Sequence, residues 1–236
     1  MTNKTAIMAA VLAVFAAPVV AQGITGGQLG IEYAAPFDGT DLGGTSYNAA
    51  IEYAITRQFS VSADFSSYSI EAFEENSSSL TLHGIFHMDD NASLGVFIGQ
   101  DREGDNGGDA RLYGLEGGTE FMGGEVSGYA AFIDGASDGT MFGLDGAYGW
   151  RDGISFTGNA SILNQDDSNI RRVAIGGAYA MAEGPEFYGE LGNLAAEDGS
   201  ISSNQAFIGL GARINFGAQR GTTFKERSLF ETAAGF

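Results

Sequence analysis

The chain has two histidines, His83 and His87, four residues apart in "LTLHGIFHMDD". Positions i and i+4 of an extended strand share a face, so both imidazoles could turn toward one surface. At roughly 3.3 Å per residue they would lie about 13 Å apart, too far to hold one ion between them. Nucleophilic hydrolysis would need a serine beside a histidine, with a third group orienting the ring. Both histidines share a face with Thr81 rather than with Leu82, Phe86 and Met88, which reads as polar lining. The stretch "DREGDNGGD" (101–109) echoes a calcium loop in the spacing of Asp101, Glu103 and Asp105. Asn106, however, stands where the sharp turn of such a loop needs glycine, and no helices flank it. The expectation is a protein without catalytic residues, metal or cofactor.

Charged residues are the next candidates for chemistry. Of the 11 Lys and Arg, only Lys4 falls within "MTNKTAIMAAVLAVFAAPVVA", a stretch that contains no Asp or Glu. The remaining chain therefore carries 10 cations against 30 carboxylates, a balance of −20. Such a chain is a poor partner for nucleic acid, because each phosphate contact needs a Lys or Arg. That first stretch combines an early cation, an apolar run too short to span a bilayer and a small-residue stop. This is the build of a secretory signal peptide. The expected organisation is a signal over residues 1–21, a domain over 22–216 and an extension over 217–236. With no cysteine, a disulfide scaffold is excluded, and export without disulfides points to a bacterial envelope. The 37 glycines show no G-X-Y period and do not indicate collagen.

The elements that position these charges follow a period of two. Leu29, Ile31 and Tyr33 alternate with Gly30, Glu32 and Ala34, and Phe59, Val61, Ala63 and Phe65 with serines and Asp64. Similar segments of about ten residues recur to Phe216, twelve in all, and no convincing 3.6-residue period intervenes. Tight turns at 55–58, 89–91, 123–124, 151–153 and 182–184 alternate with longer acidic loops such as "EAFEENSSS" and "AAEDGSISS". Aromatic residues flank the tight turns: Tyr53, Phe59, Phe86, Trp150 and Tyr179, with Phe216 at the same end of the last strand. Short turns on one side, longer loops on the other and an aromatic girdle describe a transmembrane antiparallel up-and-down β-barrel, all-β and of about twelve strands. The girdle and short turns belong on the periplasmic side of a cell outer membrane, with lipid around the barrel.

With the apolar face given to lipid, the lumen receives Glu32, Glu52, Asp64, Glu116, Asp145 and Glu190 against Arg172 and Arg213. These eight are the candidate pore-lining residues. Carboxylate excess in a lumen favours cations. Many other inward positions are Gly or Ala, such as Gly95, Gly99 and Gly114. Small residues would leave a narrow water-filled pore rather than a plug. Acidic loop residues, Asp101 among them, would ring the mouth.

The spacing of Gly211, Ile214 and Phe216 resembles the C-terminal strand signal of Gram-negative outer-membrane proteins, which implies barrel-assembly machinery as a partner. That signal normally ends a chain, whereas here Gly217–Phe236 follows, with "FKER" in its middle. The tail is expected in the periplasm, where Arg220, Lys225 and Arg227 could meet a periplasmic partner. By strand count and size the chain resembles the small monomeric porins, whose twelve-stranded members pass acidic oligosaccharides along tracks of basic residues. This lumen lacks such a track, and neither histidine has the H-x-S spacing of lipid-cleaving barrels. The expected function is a narrow, cation-preferring channel for small hydrophilic solutes. The alternative is a non-conducting barrel with a structural or surface-interaction role.

Overall fold

A computed structural model describes residues 23–37, 43–70, 76–104, 108–166, 168–182, 184–199, 201–217 and 221–232. The expected signal, residues 1–21, lies outside them.

Twelve strands account for nearly all of the described chain. They are β1 (Ile24–Pro36), β2 (Gly44–Ala54), β3 (Phe59–Ile70), β4 (Asn76–His87), β5 (Ala92–Arg102) and β6 (Asp109–Phe121). β7 (Gly124–Asp134), β8 (Gly139–Arg151), β9 (Ile154–Gln165), β10 (Ser168–Ala180), β11 (Glu186–Asp198) and β12 (Ile201–Phe216) follow. A four-residue helix, α1 (Leu229–Thr232), comes after the last strand. Each strand pairs antiparallel with the next, and β12 returns to β1 to close the barrel. Closure leaves no edge, so the strand backbone can be paired throughout in a medium that offers it no water.

The period of two explains the faces. Val96 and Ile98 of β5 are exposed on the outside, while Phe97 between them is buried within. Ile31, Val61, Leu82, Leu115, Leu144, Ile175 and Leu210 continue the outer apolar band around the barrel. A continuous surface of that kind needs an apolar phase to cover it, and the barrel is a membrane-spanning one. Its seam is held in register by Gly27 opposite Phe216. A Cβ on Gly27 would run into the Phe216 ring, so the aromatic side chain lies over the glycine.

The connections depart from strict alternation. β9 and β10 are separated only by residues 166–167, and β11 and β12 only by 199–200, both on the side where longer loops were expected. The tight turn expected at 182–184 is a connection over residues 181–185. Strands here run beyond the apolar band, because polar residues such as Asn164, Asn169 and Ser202 pair across the ladder as well as apolar ones do. Below, the end holding residues 55–58 and 122–123 is the turn end, and the opposite one is the loop end.

Candidate functional site

The expected periplasmic extension is overturned for residues 221–232: this segment lies inside the barrel. From Phe216 the chain bends at Gly217, whose φ is +91°. It then passes β1 so closely that a Cβ on Gly26 would overlap the Gly221 carbonyl oxygen. Only glycine at 26 permits that crossing.

Beyond it the tail's polar partners lie on strands from β2 to β8, and α1 also packs against β9 and β10. The Thr223 N–H donates to Glu52 at 2.7 Å. Phe224 is buried and its ring stacks near His83, 6.5 Å between centroids. Lys225 pairs with Asp145 at 3.2 Å. The Glu226 carboxylate accepts from the hydroxyls of Ser66 and Tyr68. Arg227, 1% exposed, reaches Glu116 at 3.1 Å and Asp145 at 3.4 Å, with its guanidinium over the Tyr129 ring. Its carbonyl accepts from Thr81 at 3.0 Å. Asp101 accepts from the Ser228 hydroxyl at 3.1 Å and the Leu229 N–H at 2.6 Å, which fixes the start of α1. Leu229 then packs on an inward apolar cluster that includes Phe97, Leu112, Ile133, Met141 and Leu163.

The physical reason is charge. An acidic wall buried inside a barrel needs cations, since unpaired buried carboxylates cost several kcal/mol each. Lys225 and Arg227 supply them. His83 joins the same network between Asp64, at 3.0 Å, and Glu116, at 2.5 Å. His87 is bound to the hydroxyls of Ser60 and Ser93. Among the described residues no group of three His, Cys, Asp or Glu could hold a metal ion.

Small inward residues were expected to favour an open pore over a plug, and that is also corrected. A Cβ on Gly95 would lie 2.8 Å from the Phe224 ring, and one on Gly99 would lie 3.4 Å from the Arg227 carbonyl. The glycines make room for the tail. Others accept ring packing within the barrel: Gly114 lies under Phe97, Gly143 under Tyr129 and Gly211 under Tyr188.

The wall from β9 through β12 and β1 carries a second polar network. Arg172 pairs with Glu190 and with Asn159, and stacks over Phe207. Arg213 pairs with Glu186 and lies over Tyr188, whose hydroxyl donates to Glu32 at 2.8 Å. The lumen beside the tail is a cavity of ≈ 590 Å³ that residues of all twelve strands line. Its lining includes Glu32, Asp64, Asp145, Arg172, Glu190 and Arg213 from the strands, and Lys225, Glu226 and Glu231 from the tail. Exposed residues of the turn end, Asp89, Asp90, Glu120 and Glu125, also line it, so it opens there. Toward the loop end the interior is apolar, with Leu112, Ile133, Met141, Leu163, Leu194 and Phe207 buried and absent from the cavity lining.

All eight lumen charges read from alternation therefore point inward, Glu52 and Glu116 against the tail and the other six on the cavity. Tyr53, Phe59, Phe86, Trp150 and Tyr179 are exposed on the outside near the turn end, and Phe216 covers Gly27 there. Asp101, expected in a mouth loop, instead faces inward, because its partners are the tail's Ser228 and Leu229. Asp105 lies outside the described residues.

No protein-family model matches the sequence, and no curated protein does. Solved structures match the fold. The chain is similar to a KdgM porin solved in complex with disordered oligogalacturonate, at 11% identity over 79% of this chain and 97% of that one, with a TM-score of 0.58. It is similar to the COG4313 outer membrane channel from Pseudomonas putida F1 at 12% identity, over 85% of this chain and 99% of that one, with a TM-score of 0.60. The chain has the β-barrel fold of such outer-membrane proteins.

Proposed function

We propose that the protein is an outer-membrane channel for small hydrophilic solutes, with a preference for cations. The observation that carries this reading is the cavity, a polar space inside a lipid-facing barrel that opens at the turn end. Ten carboxylates line it against Arg172, Arg213 and Lys225. A cleft lined by one sign of charge concentrates counter-ions and repels co-ions. Oligogalacturonate, an acidic chain held by the KdgM porin, does not suit such a lining, and its recognition is not carried over. On this reading the turn end faces the periplasm, and the β12 signal engages the assembly machinery.

The test is conductance of the refolded chain in a planar bilayer under a potassium chloride gradient. Discrete steps with a cation-selective reversal potential are expected. Steps without selectivity would keep the channel and remove the charge argument. A second reading, a non-conducting structural or surface-interaction barrel, draws on the apolar layer toward the loop end. Silence from a barrel shown to be inserted, with residues 217–236 present and with them deleted, would favour it.

A further inference from the structure

We infer that residues 221–232 are a removable plug: the β2–β8 wall is a binding site for this segment of the chain, and its departure from the seat widens the channel. The inference rests on the channel reading above.

Three independent features identify a seat rather than incidental packing. The first is charge complementarity. Glu116 and Asp145 both pair with the tail's Arg227, which is buried, and Asp145 pairs with the tail's Lys225 as well. The second is shape: Gly95, Gly99 and Gly118 line a trough for Phe224 and the Arg227 backbone, where an added Cβ would come within 2.8, 3.4 and 3.5 Å of them respectively. The third is the way in. Gly26 and Gly221 pass each other at the turn end, so the segment comes from the side on which the barrel's last strand finishes.

The binding is made through side chains, polar ones together with Phe224 and Leu229, and not through the sheet's ladder, which makes it separable from the barrel. The tail adds no strand to the sheet, whose ladder is closed by β1 and β12 without it. Its main-chain bonds are to side chains: Thr223 to Glu52, Leu229 to Asp101 and the Arg227 carbonyl to Thr81. Lys225, Glu226 and Glu231 face the cavity, so the tail forms one wall of the permeation space. Without it, that space would extend to the part of the β2–β8 wall that the tail now covers, where Thr81, His83 and Glu116 are buried.

The experiment compares unitary conductance of the full chain with that of a variant lacking 217–236, both confirmed as inserted barrels. The variant should give larger unitary steps than the full chain, because removing the tail widens the water-filled cross-section of the lumen. A synthetic peptide of residues 221–232, added at the turn-end side, should restore the smaller step, and added at the loop-end side should not. Equal steps from both proteins would overturn the plug and leave the channel reading standing. Silence from the full chain with steps from the variant would support the plug. Silence from both would overturn this inference together with the channel reading. Should the deletion fail to fold, the full-length pair Asp101→Cys and Ser228→Cys, in a chain with no other cysteine, takes its place. The Asp101 carboxylate and the Ser228 hydroxyl meet at 3.1 Å, so thiols at the two positions lie within reach of a short bis-methanethiosulfonate, whose bridge should abolish wide openings that reduction restores. A pair that the reagent leaves unbridged in the folded barrel overturns the seat.

Discussion

At the scale of residues, Arg227 concentrates the energetics of the interior. Its guanidinium is shut away from water, yet it pairs with Glu116 and Asp145 and lies 4.3 Å from the centre of the Tyr129 ring. Removing one member of a buried pair leaves the others charged and unsolvated, which costs about 3–5 kcal/mol. Arg227→Met keeps most of the volume and removes the charge, so it should destabilise the docked tail by about that amount. Denaturant unfolding of the refolded protein, followed by tail protection from protease, would check it. Loss of protection with the barrel transition unchanged is expected; a fully protected tail would show that packing alone holds it. Alternation was enough to assign the acidic side of this network, because a carboxylate two residues from another inward position must also point inward. The cationic side could not be assigned so, since Lys225 and Arg227 lie outside any strand. A signal was nonetheless there: six inward carboxylates against two arginines leave an unbalanced interior, and the most basic segment of the chain follows directly.

At the scale of elements, the twelve strands were legible because lipid imposes one rule on every strand: apolar side chains outward, at every second position. Where that rule weakens, so does the reading. In β5 the run Val96-Phe97-Ile98 is apolar throughout, so only the inward assignment of Gly95 and Gly99 places Phe97 on the lumen side, and nothing in the sequence shows that it joins Leu112 and Met141 there. Toward the loop end the strands outrun the apolar band, and polar segments read as loops are paired ladder. The outward face can be tested directly. Val96, near the middle of β5, is 57% exposed. Val96→Arg should destabilise the barrel in bilayers by about 2–4 kcal/mol, the depth-dependent cost of a cation on the lipid face. The same change at Ser69, near the end of β3, should cost about 1 kcal/mol or less. Urea titrations of both variants in lipid vesicles would separate them, and equal penalties would mean that β5 does not face lipid at its centre.

At the scale of the whole molecule, selectivity should depend on where the charges sit as much as on their number. Deep in the lumen many carboxylates are already neutralised: Glu116 by Arg227 and His83, Asp145 by Lys225 and Arg227, Glu190 by Arg172. Asp89, Asp90, Glu120 and Glu125 at the open end of the cavity are exposed, and none has a partner cation among the ion pairs described. They should carry most of the field that a solute meets first. Exposed charges act through solvent, over a screening length of about 10 Å at 0.1 M salt and about 3 Å at 1 M. Replacing these four with Asn and Gln should therefore cut the cation preference at low salt and change it little at 1 M. The readout is the reversal potential of the variant and the parent protein at both ionic strengths. If selectivity persists undiminished at low salt, it resides in the inner wall, with Glu32 and Glu190 as the residues to change next. If the variant differs equally at both ionic strengths, the four residues act at contact distance, and the passage narrows at the turn end rather than beside the tail.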